Sequence, residues 1–163
     1  MPDFWLPDVS DYTGPSLTPQ MVRAAEEALG YKLPGSYLQL LGIMNGGRPR
    51  RRCLPMSVRT SWAEDHICIE YLLGIGYDNG IDGKFGSRYM IDEWACPEVG
   101  ILIADTPSAG HDWIALDYRE CGPAGEPSVV HIELESETPV VTPAAPDFAT
   151  FAQALVDCGQ YNA

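Results

Sequence analysis

Asp105, His111 and Asp112 are the residues whose types and spacing could do chemistry: an imidazole between two carboxylates is a minimal set for acid–base catalysis or metal ligation. They bracket Thr106-Pro107-Ser108-Ala109-Gly110, which has the outline of a nucleophile elbow. The run lacks the first glycine of Gly-x-Ser-x-Gly and sits between two expected strands instead of between a strand and a helix. A plain turn explains all five residues, with proline fixing φ, serine accepting a local hydrogen bond and Gly110 at positive φ. A hydrolytic metal site would add further histidines or carboxylates at telling spacings, and none stand nearby. The reading is therefore non-catalytic, with a hydrolase built on Asp105, His111 and Asp112 as the chemical alternative.

Asp78-Asn79-Gly80-Ile81-Asp82-Gly83 superficially matches a calcium loop, but glycine occupies the third position and Tyr89 the twelfth, where a bidentate glutamate is required. What remains is a long, polar, glycine-rich loop carrying acids beside Tyr77, Phe85 and Tyr89. The five cysteines (Cys53, Cys68, Cys96, Cys121, Cys158) are odd in number and scattered, without a Cys-x-x-Cys pair or a histidine at ligand spacing. They read as reduced, mostly buried thiols, with neither a zinc site nor a disulfide. No metal and no cofactor is expected.

Twenty-three acids against ten bases give a net charge of −13, and four of the bases fall in Arg48-Pro49-Arg50-Arg51-Arg52. Such a field repels phosphate backbones and speeds association with cationic partners, so direct nucleic-acid binding is disfavoured. The arginine run is either a phosphate-binding patch or, better supported by the overall acidity, a loop paired with the chain's own carboxylates. No apolar run approaches a membrane span, and the start Met1-Pro2-Asp3-Phe4 lacks the basic flank and apolar stretch of a secretory signal; a cytoplasmic protein is expected.

The elements that must position these residues follow from periodicity. Thr18 with Pro19 opens a helix whose Met21, Val22, Ala25, Ala28 and Leu29 recur at helical spacing until Gly30. A second starts at Pro34, with Tyr37, Leu40, Leu41 and Met44 on one face, and Asn45-Gly46-Gly47 stops it, Gly46 at positive φ. Residues 67–75 alternate with period two, as a largely buried strand. Residues 100–104, 112–118 and 128–135 repeat the pattern across short turns, as an antiparallel meander. In the last of these Val130, Ile132 and Leu134 face one way and Val129, His131, Glu133 and Glu135 the other, which reads as a wet, acidic face. Residues 139–146 read as a connector, and Pro146-Asp147 opens a closing helix with a Phe148, Phe151, Ala152, Leu155 stripe. The sum is one α+β domain over residues 1–163, a twisted, mainly antiparallel sheet covered by an N-terminal helix pair and a C-terminal helix.

Two blocks together carry a family resemblance. Leu29-Gly30-Tyr31-Lys32-Leu33-Pro34-Gly35-Ser36-Tyr37-Leu38 running to Asn45-Gly46-Gly47, and Ile103-Ala104-Asp105-Thr106-Pro107-Ser108-Ala109-Gly110-His111-Asp112 followed by Leu116-Asp117-Tyr118, resemble the SUKH superfamily in order and spacing. The resemblance implies a protein-binding domain without catalysis. In the bacterial branch it implies an immunity protein that neutralises a cognate polymorphic toxin, nucleases being common among these; the alternative is a regulatory or scaffold module of the fungal cell-wall type. Beside it, the charge implies a partner with a basic surface, met by Asp78, Asp82, Asp92, Glu93 and Glu98 of the 78–98 segment and by Glu133 and Glu135 of the wet face.

Overall fold

The computed structural model describes residues 3–161. Two helices come first, α1 (Pro19–Leu29) and α2 (Gly35–Ile43), as the apolar spacing requires. Thr18 caps α1 by accepting from the Met21 amide at 3.2 Å. Helix α2 stops at Ile43 because Met44 is already extended, and Gly46 follows at φ 91°. Strands β1 (Cys53–Pro55) and β2 (His66–Cys68) then form a two-stranded antiparallel sheet.

Helix α3 (Ser87–Trp94) leads into the main sheet of β3 (Gly100–Asp105), β4 (Asp112–Asp117), β5 (Ser128–Glu133) and β6 (Val140–Ala145). The order is β3-β4-β5-β6, antiparallel throughout. Helix α4 (Phe148–Ala154), capped by Asp147 accepting from the Thr150 amide at 2.7 Å, and a 3₁₀ turn (Cys158–Tyr161) end the described chain. The expected mixed α+β class, with a mainly antiparallel sheet under the first helix pair and α4, is what forms.

Both faces of the main sheet are covered, which explains its nearly continuous apolar strands. On one face Ile101, Ile103, Ile114, Leu116 and Val129 pack with Leu40 and Leu41 of α2 and Phe148 and Phe151 of α4. On the other, Leu102, Ala115, Val130 and Ile132 meet Met90, Cys96 and Val99 beneath α3. Tyr37, fully buried, donates its hydroxyl to the Leu73 carbonyl at 2.5 Å and so ties α2 to the segment after β2.

Three expectations are corrected here, and one helix is added. The strand foreseen over 67–75 survives only as β2; beyond it the chain is extended but pairs through isolated bridges, Leu72 with Gly47 and with Ala104, because it crosses between the helix pair and the sheet. Within residues 139–146, read as a connector, Val140–Ala145 form the edge strand β6. Pro143 is accommodated there because an edge strand has one side with no ladder to donate to. The glycine-rich loop forms over residues 78–86 as expected, but it is followed by a helix that was not foreseen, α3, whose eight-residue amphipathic pattern is too short to stand out. The wet face of β5 is buried: Val129, His131 and Glu133 share the side of the larger core, with His131 1% and Glu133 5% exposed.

The cysteine reading is also corrected. Cys53 and Cys158, 105 residues apart, form a disulfide, and only Cys68, Cys96 and Cys121 are free thiols. Linear spacing could not show this, because β1 and the terminal 3₁₀ turn meet only through the fold.

Candidate partner-binding surface

Asp105, His111 and Asp112 do not form one cluster, although the β3–β4 turn brings them near. The Asp112 carboxylate is buried and engaged on both oxygens, one 2.8 Å from His131 Nε2 and the other accepting from Thr106 Oγ1 at 2.9 Å. Burial pushes this carboxyl up, but hydrogen bonds from His131, Ser108 and Thr106 outweigh it and hold it below the ordinary range. His111 is exposed and stands 3.2 Å from the equally exposed Glu135. Every donor near Asp112 is committed to holding the turn onto β5, which is a structural role.

Asp105 instead accepts the Tyr71 amide at 2.8 Å and so fastens β3 to the 69–73 crossing. Burial raises its pKa from 3.8 to about 6, against the lowering effect of the Tyr71 amide. A carboxyl whose folded pKa exceeds its unfolded one binds extra protons in the folded state, so stability falls as pH rises from about 4 to about 6 and stays lower above. Asp105→Asn keeps the acceptor and removes the charge. It is expected to add about 1–3 kcal/mol of stability at pH 8 for a shift of this size, read as a higher thermal midpoint, and to leave stability unchanged near pH 4. Equal midpoints at pH 8 would contradict the buried charge.

The arginine run pairs internally, as its surroundings of surplus acid suggest. Arg48 and Arg52 both reach Glu70, Arg52 at 2.8 Å, Arg48 also lies 4.9 Å from the Tyr71 ring centre, and Arg50 contacts Asp3 at 3.2 Å. Arg51 alone of the four stays exposed without an ion pair among the described residues.

The exposed side of α3 and the loop before it offers a different chemistry. Trp94 is 61% and Phe85 46% exposed, and Phe85 meets Tyr89 edge-on with ring centres 5.7 Å apart. Such aromatic area is what anchors protein interfaces. Around it lie exposed Asp78, Asp92, Glu93 and Glu98. Arg88 ties two of these, Glu98 at 2.6 Å and Asp92 at 3.4 Å, which leaves Asp78 and Glu93 without an ion-pair partner among the described residues. Asp82 is committed to the loop itself, accepting from the Gly76 amide at 2.9 Å. Ser87 at the helix start accepts the Leu102 amide at 3.1 Å and Met90 is buried against the sheet, so the aromatic and acidic groups stand on a fixed platform.

Of the seven acids expected at an interface, α3 and its loop thus gather Asp78, Asp92, Glu93 and Glu98. Asp82 and Glu133 are turned to structural work, Glu133 accepting the Ser136 amide at 2.7 Å, and Glu135 stands with His111 at the β3–β4 turn. Trp94 was not singled out from sequence; its place at a helix end among acids was the available signal.

Comparison with known proteins adds the family. The SUKH_6 family, described as SMI1-KNR4 cell-wall, matches residues 19–151, which run from the start of α1 into α4. The chain belongs to the SUKH family. No curated protein and no solved structure matches it. SUKH domains are often those of immunity proteins, and the family points to a protein as partner. The match takes in both sequence blocks, the α3 surface and the main sheet, but stops short of Cys158. Among the described residues of this SUKH domain no helix is long and apolar enough to cross a membrane.

Proposed function

We propose that this SUKH protein is an immunity protein that binds a cognate polymorphic toxin and neutralises it by contact, through the outer side of α3. The exposed Trp94, next to Glu93, unpaired among the described residues, and on a helix that also carries Asp92 and Arg88, is the observation that carries the reading. A large aromatic left in water costs hydrophobic free energy that a docking partner recovers, and the acids select a basic surface such as that of a nuclease. The role is non-catalytic, since the groups that could do acid–base chemistry hold the turn and the crossing segment in place.

The test uses the toxin domain encoded beside this gene. Trp94→Ala should leave the thermal midpoint within the spread of surface substitutions yet weaken binding at least tenfold, chiefly through faster dissociation. Asp78→Lys with Glu93→Lys should slow association and flatten its salt dependence, and cells carrying either variant should lose protection from the toxin. Binding and protection that survive all three substitutions would remove α3 from the interface.

The family's description, which names cell-wall proteins, supports a second reading: a regulatory or scaffold module that uses the same surface without inhibiting an enzyme. A partner captured through Trp94 whose activity continues undiminished in the complex would favour it.

A further inference from the structure

Cys53, Cys68 and Cys158 come from three separate elements, β1, β2 and the terminal 3₁₀ turn, and their sulfurs all lie within 4.8 Å of one another. Cys68 Sγ is 3.8 Å from Cys158 Sγ across 90 residues of chain. Two thiolates bound to one d¹⁰ ion at a metal–sulfur distance of about 2.3 Å stand about 3.8–4.0 Å apart in tetrahedral or trigonal geometry. The Cys68–Cys158 separation already has that value.

We propose that, when the Cys53–Cys158 disulfide is reduced, Cys53, Cys68 and Cys158 bind one thiophilic d¹⁰ cation of the zinc, cadmium or copper(I) class. A thiol or phosphine reductant supplies two electrons and is itself oxidised to a disulfide or, with water, to a phosphine oxide. Two protons complete the Cys53 and Cys158 thiols. The ion then displaces the three thiol protons to solvent and forms three metal–sulfur bonds. The Cα atoms of Cys53 and Cys158 are 5.2 Å apart, close enough for side-chain rotation to open their sulfurs to the required spacing.

Thiol–disulfide exchange is the competing chemistry for such a trio, and the placement of Cys68 disfavours it. A thiolate attacking Cys158 along the axis of an ordinary disulfide of about 2.05 Å would stand about 5.8 Å from the far sulfur. Cys68 stands within 4.8 Å of Cys53, beside the bond instead of behind it.

The site joins β1 and β2 to a C-terminal turn that lies beyond the family match, so it belongs to this chain's own end. The expectation of no metal rested on linear spacing, which the fold bypasses. The test titrates Cd²⁺ into protein reduced with a phosphine. One ion per chain should bind, with an ultraviolet thiolate-to-cadmium band. Cys68→Ser should lose about a third of that band and at least tenfold in affinity, while Cys121→Ser should match the wild type. Because Cys68 is buried and its variant could fold poorly, X-ray absorption on the wild-type complex provides a second measurement, with three sulfur neighbours expected. Two or fewer sulfurs, binding equally tight in the unreduced protein, or a band lost with Cys121 would each overturn the site.

Discussion

Asp112→Ala is expected to cost about 3–5 kcal/mol, because it leaves the buried His131 ring without its carboxylate partner, whereas the Thr106 hydroxyl keeps the Asp112 backbone carbonyl at 3.0 Å. For a chain of this length that is a fall of roughly 10 °C or more in thermal midpoint. The cause is the orphaned ring, not a lost attraction, and a double variant separates the two. Asp112→Ala combined with His131→Leu removes donor and acceptor together and should recover 2 kcal/mol or more of the sum of the single losses, as expected for coupled neighbours. The pH dependence has a definite sign. The folded pKa of Asp112 is depressed, so its contribution is present above the unfolded value of 3.8 and is lost as pH falls through the folded one. The double variant should therefore lose less stability on acidification than the wild type. A single variant within 1 kcal/mol of wild type, or strictly additive losses, would show that the network holds nothing.

Gly46→Val is expected to cost a comparable amount for a different reason. Gly46 has φ 91°, and a Cβ there would run into the Tyr77 hydroxyl, the Tyr12 carbonyl and the Gly74 amide, two of them rigid backbone. Those atoms cannot retreat, since the Tyr77 hydroxyl donates to the Tyr12 carbonyl at 2.6 Å and accepts from the Gly74 amide at 2.8 Å. Asn45 next door holds the same junction, bonding the Pro15 and Ile75 carbonyls and the Ile75 amide. Strain at positive φ and overpacking each contribute about 1–3 kcal/mol, so about 3–5 kcal/mol is the expected loss. Gly110 provides the contrast: at φ 90° with nothing within 4 Å of a built Cβ, Gly110→Val carries the backbone strain alone and should cost about 1 kcal/mol. Thermal midpoints that place the two glycines in the reverse order would contradict the crowded junction.

The comparison of α3 with β5 shows what made some features legible. Helices α1 and α4 have Thr18 and Asp147 as caps and an apolar stripe within one short window, so local rules placed them. Strands β3, β4 and β5 announce themselves by period two and by turns built from proline and glycine. The alternation of β5 also sorted its side chains correctly into two sets; what it could not say was that both sets are covered, because β4, β6 and the helices that cover them are elements distant from its own pattern. Helix α3 is eight residues between a glycine-rich loop and Pro97, too short for periodicity to outweigh the breakers around it.

The α+β class, the capped helices, the meander, the two positive-φ glycines and, through two separated blocks, the family are legible along the chain. All of these follow from nearest neighbours along the chain or from motif order. The fold alone sets which acids are engaged in holding it and which stand exposed without an ion pair among the described residues. Asp112 met His131, Glu133 met the Ser136 amide and Asp82 met the Gly76 amide, while Asp78, whose carbonyl accepts the Phe85 amide, and Glu93, next to Trp94, stand exposed without an ion pair among the described residues. Only the fold brought Cys53, Cys68 and Cys158 together. The physical reason is the same in both cases: a carboxylate or a thiol is defined by what surrounds it, and those surroundings come from segments up to 105 residues away.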